Sequence, residues 1–192
     1  MVRSLILGTI LGGPVAFLWS MVSWEVLGWH EKTMVGFQNQ DEVSAVIASH
    51  ATEDGTYILP AMPSTQGMSS EQKKKVEAEL IEKMKSGPIM VAAVRRGEFG
   101  SYAHGIVIQV SSLMAAAFLL TWLLMQTSGL NYARRVAFLA ISGLAASVIV
   151  DLPNWNWWGF SGPYTAVNLA DSTITWSLAG LVVAKVAKPR TN

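Results

Sequence analysis

A chain of 192 residues with no cysteine, a formal net charge of +1 and 14% charged residues is long enough for one ordinary domain or one membrane bundle with an appendage. Its 51% apolar content barely exceeds the ~45–50% of soluble domains, but the charges are unevenly spread: 18 of the 27 lie between Glu31 and Glu98, and residues 99–192 hold only seven. Disorder, a nucleic-acid arm, a disulfide scaffold and a cysteine-based metal ribbon are excluded or disfavoured by these counts, which leaves an integral membrane protein.

The first predicted element is a membrane span over about residues 5–27, charge-free until Glu25. It exceeds the apolar run of a signal peptide, and Trp19, Trp24 and Trp29 stand where a small-residue cleavage site would lie, so it is expected to be retained. Residues 30–104 then form a small α/β domain. Asn39 or Asp41 caps a short helix striped by Val43, Val46 and Ile47. A strand over 55–59 ends at Pro60, and Ser69-x-x-Gln72 has the capping-box spacing that opens a second helix. That helix is expected to bury Val76, Leu80, Ile81 and Met84, while Glu71 with Lys75 and Glu79 with Lys83 pair on its solvent side. Gly87-Pro88 stops it before a second strand over 89–94. The intervening helix is long enough for a right-handed parallel crossover. Two strands are too few for independent stability, so the domain is expected to lean on the membrane helices or on a partner. The Lys73-Lys74-Lys75 run reads as a solvated helix face.

Three further spans follow within residues 105–192, at about 105–125, 136–152 and 165–184, each near the ~20 helical residues that cross a bilayer. The whole is thus a membrane all-α four-helix bundle, with a domain between its first two helices. Arg3, Arg134, Arg135, Lys185, Lys188 and Arg190 flank one end of the spans without acidic companions. Both termini are therefore expected in the cytoplasm, with residues 30–104 and the loop 153–163 in the periplasm. Trp24, Trp29, Tyr102, Tyr164 and the loop residues Trp155, Trp157 and Trp158 then form an outer aromatic belt, with Trp122 and Tyr132 nearer the inner face. Gly8-x-x-x-Gly12, Ser112-x-x-x-Ala116, Gly143-x-x-x-Ser147 and Gly180-x-x-x-Ala184 offer close helix contacts, within the bundle or with other subunits. Gly13-Pro14 is expected to kink the first helix.

Asp171, alone and ionisable in its span, is the most informative residue, because a charge in hydrocarbon costs at least ~2.5–3.5 kcal/mol. Asn168 lies within a turn of it, and Ser20, Gln109, Ser112 and Ser147 fall at similar depth, with Glu25 and Asp151 shallower. These residues form a candidate intramembrane polar site that either fixes helix register or binds an ion, proton or small ligand. His30 and His104 flank neighbouring helix ends and are candidate ligands for a b-type haem or, with Asp151, a metal. No His-x-x-His or Glu-x-x-His pair accompanies them, and no cofactor is predicted. His50 has no evident partner in the polar block. Phosphate-loop, nucleophile-elbow, zinc-protease and voltage-sensor patterns are absent from the sequence.

The order of one helix, a large outer domain, two helices with a basic turn, a short loop and a last helix is similar to the tetraspan plan of claudin-like proteins. Their paired cysteines and Trp-Gly-Leu-Trp are missing, so no residue is carried over. Leu152-Pro153-Asn154-Trp155-Asn156-Trp157-Trp158-Gly159-Phe160-Ser161 with Asn168-Leu169-Ala170-Asp171 looks like four-helix bacterial inner-membrane proteins, and no activity comes with that resemblance. The first functional expectation is a non-enzymatic accessory or assembly subunit of a larger membrane complex, in contact with lipid and other membrane subunits and not with nucleic acid. The alternatives are a small ion-coupled transporter using the polar layer and a haem- or metal-binding redox protein.

Overall fold

The structure, a computed structural model, describes residues 2–97 and 100–188. Four helices are long and apolar enough to cross a membrane. They are α1 (Val2–Met21, continued by a π-helical turn Val22–Val26), α4 (Tyr102–Met125), α5 (Tyr132–Trp158) and α6 (Gly162–Val186). In chain order, α2 (Gln40–His50), β1 (Gly55–Leu59), α3 (Ser70–Ser86) and β2 (Met90–Val94) lie between α1 and α4. The chain divides into two compact units, one of Met1–Val35, Gly100–Trp155 and Phe160–Asn192, the other of Gly36–Phe99 with Asn156–Gly159.

Small residues draw the long helices together. Gly8 on α1 faces the Thr121 side chain on α4, Gly12 faces Ala117 on α4 and Val183 on α6, and Gly13 faces Met114. Gly143 on α5 lies under Trp176 and beside the Ser172 carbonyl of α6, where Ser172 Oγ also donates to the Gly143 carbonyl at 2.9 Å. The first and third small-residue patterns are therefore contacts inside the bundle. Leu124, Leu139 and Val183 close one core cluster, and Ala16, Ala117, Trp176 and Ala179 another. The outward faces keep Ile10, Leu18, Leu119, Ile149 and Leu181 exposed, as hydrocarbon-facing surfaces require. Pro14 sits inside a continuous α1, since the hydrogen bond that a proline removes is tolerated in spans where neighbouring helices pack closely.

The sequence reading misplaced one boundary. α5 does not end at Leu152 but runs through Pro153 to Trp158, so Trp155, Trp157 and Trp158 occupy the last helical turn rather than a loop. The helix ends where Gly159 turns left-handed at φ +77°, with the Phe160 N–H bonded to the Asn154 carbonyl at 3.3 Å. Ser161 then caps α6 by accepting from the Tyr164 N–H at 3.3 Å.

In the other unit, Asn39 rather than Asp41 caps α2, and Ser69 with Gln72 forms the expected reciprocal capping box of α3. The strands pair antiparallel, Gly55 opposite Val94 and Leu59 opposite Met90, not through the parallel crossover. The ten-residue segment 60–69 ahead of α3 gives the chain enough reach to re-enter beside the end at which β1 left, and an antiparallel pair needs no helix on both faces. α3 also does not bury its stripe: Ile81 is 46% and Met84 42% exposed, and no residue of the helix is buried. Arg96 fastens the end of α2, its guanidinium donating to the carbonyls of Thr52 (2.7 Å) and Ala48 (3.4 Å) while its N–H donates to Asp54 Oδ1 at 2.8 Å.

Candidate functional site

The π-helical turn at the end of α1 begins the site. Its wider winding is closed by the Leu27 N–H on the Val22 carbonyl at 3.0 Å, and it turns Ser23 inward, fully buried, while Trp24 and Glu25 stay exposed. Such turns interrupt helices where a side chain must be re-aimed. Gly28, at φ +57°, then reverses the chain so that Trp29 and His30 fold back on Ser23. A residue with a Cβ is strained in this left-handed conformation.

The folded-back segment seats His30, 1% exposed, in an aromatic box. Trp24 stacks on its ring at 4.1 Å and 4°, and Trp29 meets it edge-on at 5.7 Å. Trp19 meets Trp29 edge-on at 6.5 Å. The polar edges converge on one carboxylate. Asp171 of α6 accepts from Trp19 Nε1 at 2.6 Å on Oδ1, and its Oδ2 lies 3.3 Å from His30 Nε2. Ser23 Oγ is 3.1 Å from the same imidazole nitrogen and accepts from Trp29 Nε1 at 2.8 Å. Between His30 Nε2 and Asp171 Oδ2 one group donates and the other accepts. Nδ1 is buried and has no hydrogen-bond partner.

A second carboxylate is held three residues away along α6. Asp151 of α5 accepts from Ser147 Oγ, one turn earlier on its own helix, and from Asn168 Nδ2 of α6 at 3.1 Å. α6 therefore presents Asn168 and Ser172 to α5, and Asp171 to the end of α1. A half-buried carboxylate bridged in this way restrains the rotation and height of the helices it joins, because a slip of one residue breaks its hydrogen bonds.

Of the residues singled out in the sequence, Asp151, Ser147 and Asn168 come together, and Asp171 joins His30. Gln109, Ser112 and Glu25 are exposed, and Ser112 Oγ turns back on the Ile108 carbonyl of its own helix at 2.8 Å. Ser20 does likewise with the Phe17 carbonyl. His104 is exposed in the first turn of α4, its N–H on the Ser101 cap, whereas His30 Nε2 is engaged by Ser23 and Asp171. Among the described residues, no group of three or more His, Asp or Glu converges as metal ligands would. Sequence reasoning missed Trp19, Ser23 and the inward side of Trp24 and Trp29. The readable signal was the Trp-His pair directly after Gly28, a glycine that ends a charge-poor helix and permits a reversal.

Compared with known proteins, the chain matches no family model, no curated sequence and no solved structure.

Proposed function

We propose that the chain is a non-enzymatic accessory or assembly subunit of a larger membrane complex, offering the unit built on residues 36–97 to that complex. One observation carries this reading. Among the described residues of 36–97 only Ala51 is buried, while Phe37 is 60% and Met62 65% exposed. Two strands and two helices with this little burial do not stabilise themselves in water, and large apolar side chains left this exposed favour a contact with another molecule. The six basic residues flanking one end of the spans support cytoplasmic termini, with residues 36–97 on the opposite, periplasmic side of a bacterial inner membrane. The bridged carboxylates Asp171 and Asp151 set the register of the supporting bundle.

Purification of the native protein in mild detergent, with mass spectrometry and an absorption spectrum on the same sample, tests the proposal. Other membrane proteins in fixed stoichiometry are the expected result; a colourless preparation of this chain alone contradicts it.

A second reading has its own observation, the pair of buried His30 and half-buried Asp171, with His30 Nδ1 buried and unpartnered. Intramembrane ionisable pairs mark proton and ion pathways, and a small ion-coupled protein would place its carrier group here. Loss of phenotype in Asp171→Asn with assembly intact supports that reading, and unchanged phenotype removes it.

A further inference from the structure

The same unit carries an apolar groove and an apolar helix face, and in a single chain both are open. The groove runs along α2 and the paired strands. One part, of about 370 Å³, is bounded by Ile47, Ala51, Tyr57, Ile58, Ala92 and Val94. It continues into a part of about 290 Å³ bounded by Phe37, Glu42 and Val43, with Val46, Ile47 and Met90 common to both. From Val43 to Ala51 it follows eight residues of backbone, about 12 Å of helix.

The apolar stripe of α3, half-buried at Val76 and Leu80 and exposed at Ile81 and Met84, also spans eight residue steps, about 12 Å. Its spacing presents one face of a helix, the form in which amphipathic helices enter apolar grooves. The charges match as well. Asp41 and Glu42 stand at the α2 start of the groove, and residues 36–54 contain no Lys or Arg. Lys73, Lys74 and Lys75 stand just before the stripe of α3.

We propose that the groove of one copy receives α3 of a second copy, in a reciprocal exchange that buries both stripes. Stripe and groove belong to one unit, yet Ile81 and Met84 remain exposed there, and a second copy offers the matching surface. A surface that complements itself closes as a twofold dimer, with each α3 in its partner's groove. Seated with its lysines over Asp41 and Glu42, α3 runs in the same sense as α2. This goes beyond the accessory-subunit reading and fails separately from it, since a dimer free of other subunits supports one and contradicts the other.

Because the chain has no cysteine, engineered thiols report cleanly. Full-length Ile47→Cys and Ile81→Cys chains, carrying different affinity tags, are co-expressed in membranes and treated with a short bismaleimide. The expected result is a mixed-tag crosslinked dimer at least fivefold above the yield from either variant alone. Reversing Lys73, Lys74 and Lys75 to Glu is expected to abolish it, and adding Asp41→Lys and Glu42→Lys to restore it. Amide exchange over α2 and the two strands, unchanged between the variants, confirms that each variant is folded. Crosslinking of the Ile47→Cys chain to a different protein, or a monomer without crosslink, overturns the proposal.

Discussion

His30 Nε2 lies 3.3 Å from Asp171 Oδ2, joining the folded-back end of the first membrane helix to the last one. Trp19 holds the other carboxylate oxygen at 2.6 Å. Replacing His30 with Ala empties the aromatic box and leaves Ser23 and Asp171 without their shared partner. A loss of about 2–3 kcal/mol is expected, the scale of an orphaned buried polar group with lost packing. Asp171→Leu is expected to cost a similar amount, and Asp171→Asn, which keeps an acceptor for Trp19, about 1 kcal/mol. Denaturant unfolding in detergent, followed by tryptophan fluorescence, ranks the three.

Helix contact in the bundle depends on glycines that admit no side chain. A Cβ on Gly143 falls 2.9 Å from the Ser172 carbonyl oxygen, a backbone atom that cannot swing away, and collides with Trp176. Gly143→Ala should destabilise by about 1–3 kcal/mol. Gly105, where a Cβ meets nothing, is the control: Gly105→Ala in α4 should stabilise by about 0.5–1 kcal/mol through helix propensity. Thermal unfolding of the two variants side by side measures the contrast.

Gly28 separates conformation from space. A Cβ there touches nothing, yet φ is +57°. Gly28→Ala is expected to cost about 1–2 kcal/mol of backbone strain and to loosen the Trp24–His30 stack. Near-ultraviolet circular dichroism should lose tryptophan signal, with the far-ultraviolet helical signal kept.

The proposed orientation has its own test. A cysteine at Ser64 should react with a membrane-impermeant maleimide added to intact spheroplasts, and one at Ser128, in the turn between α4 and α5, only after lysis. The reverse pattern contradicts the assignment drawn from the basic residues.

Arg96 gives a local prediction within residues 36–97. Arg96→Ala frees the carbonyls of Ala48 and Thr52, so amide exchange over the last turn of α2 should rise by about tenfold, equivalent to about 1.4 kcal/mol. Arg96→Lys should fail to restore protection, since one ammonium cannot copy the two-pronged guanidinium.

The spans were legible because hydrocarbon imposes a length and a composition that any sequence must show. The caps at Asn39 and Ser69 were legible because their chemistry is local. The end of α5 was not, since Pro153 reads as a stop while the helix continues to the left-handed Gly159. Strand direction was not readable either: helix length permits a parallel crossover, but segment 60–69 decides where the chain returns. The α3 stripe was expected to be buried, but it is half-covered at Val76 and Leu80 and exposed at Ile81 and Met84. Depth counting along straight helices brought Asp171 level with Ser20, Gln109 and Ser112. The partners it meets are Trp19 and His30, because a π-helical turn and a reversal at Gly28 carry His30 back along α1. Such a reversal leaves no periodicity in the sequence.

The most direct measurement of the central claim is amide hydrogen exchange over residues 36–97, compared between native membranes and the purified chain at the same concentration. An unfinished unit completed by other subunits predicts that parts of residues 36–97 beyond the α2 groove and the α3 stripe, which a second copy covers in both preparations, are slowed at least tenfold in native membranes, with the membrane helices unchanged. Equal exchange in the two preparations would show that this unit needs no other subunit, and would contradict the account.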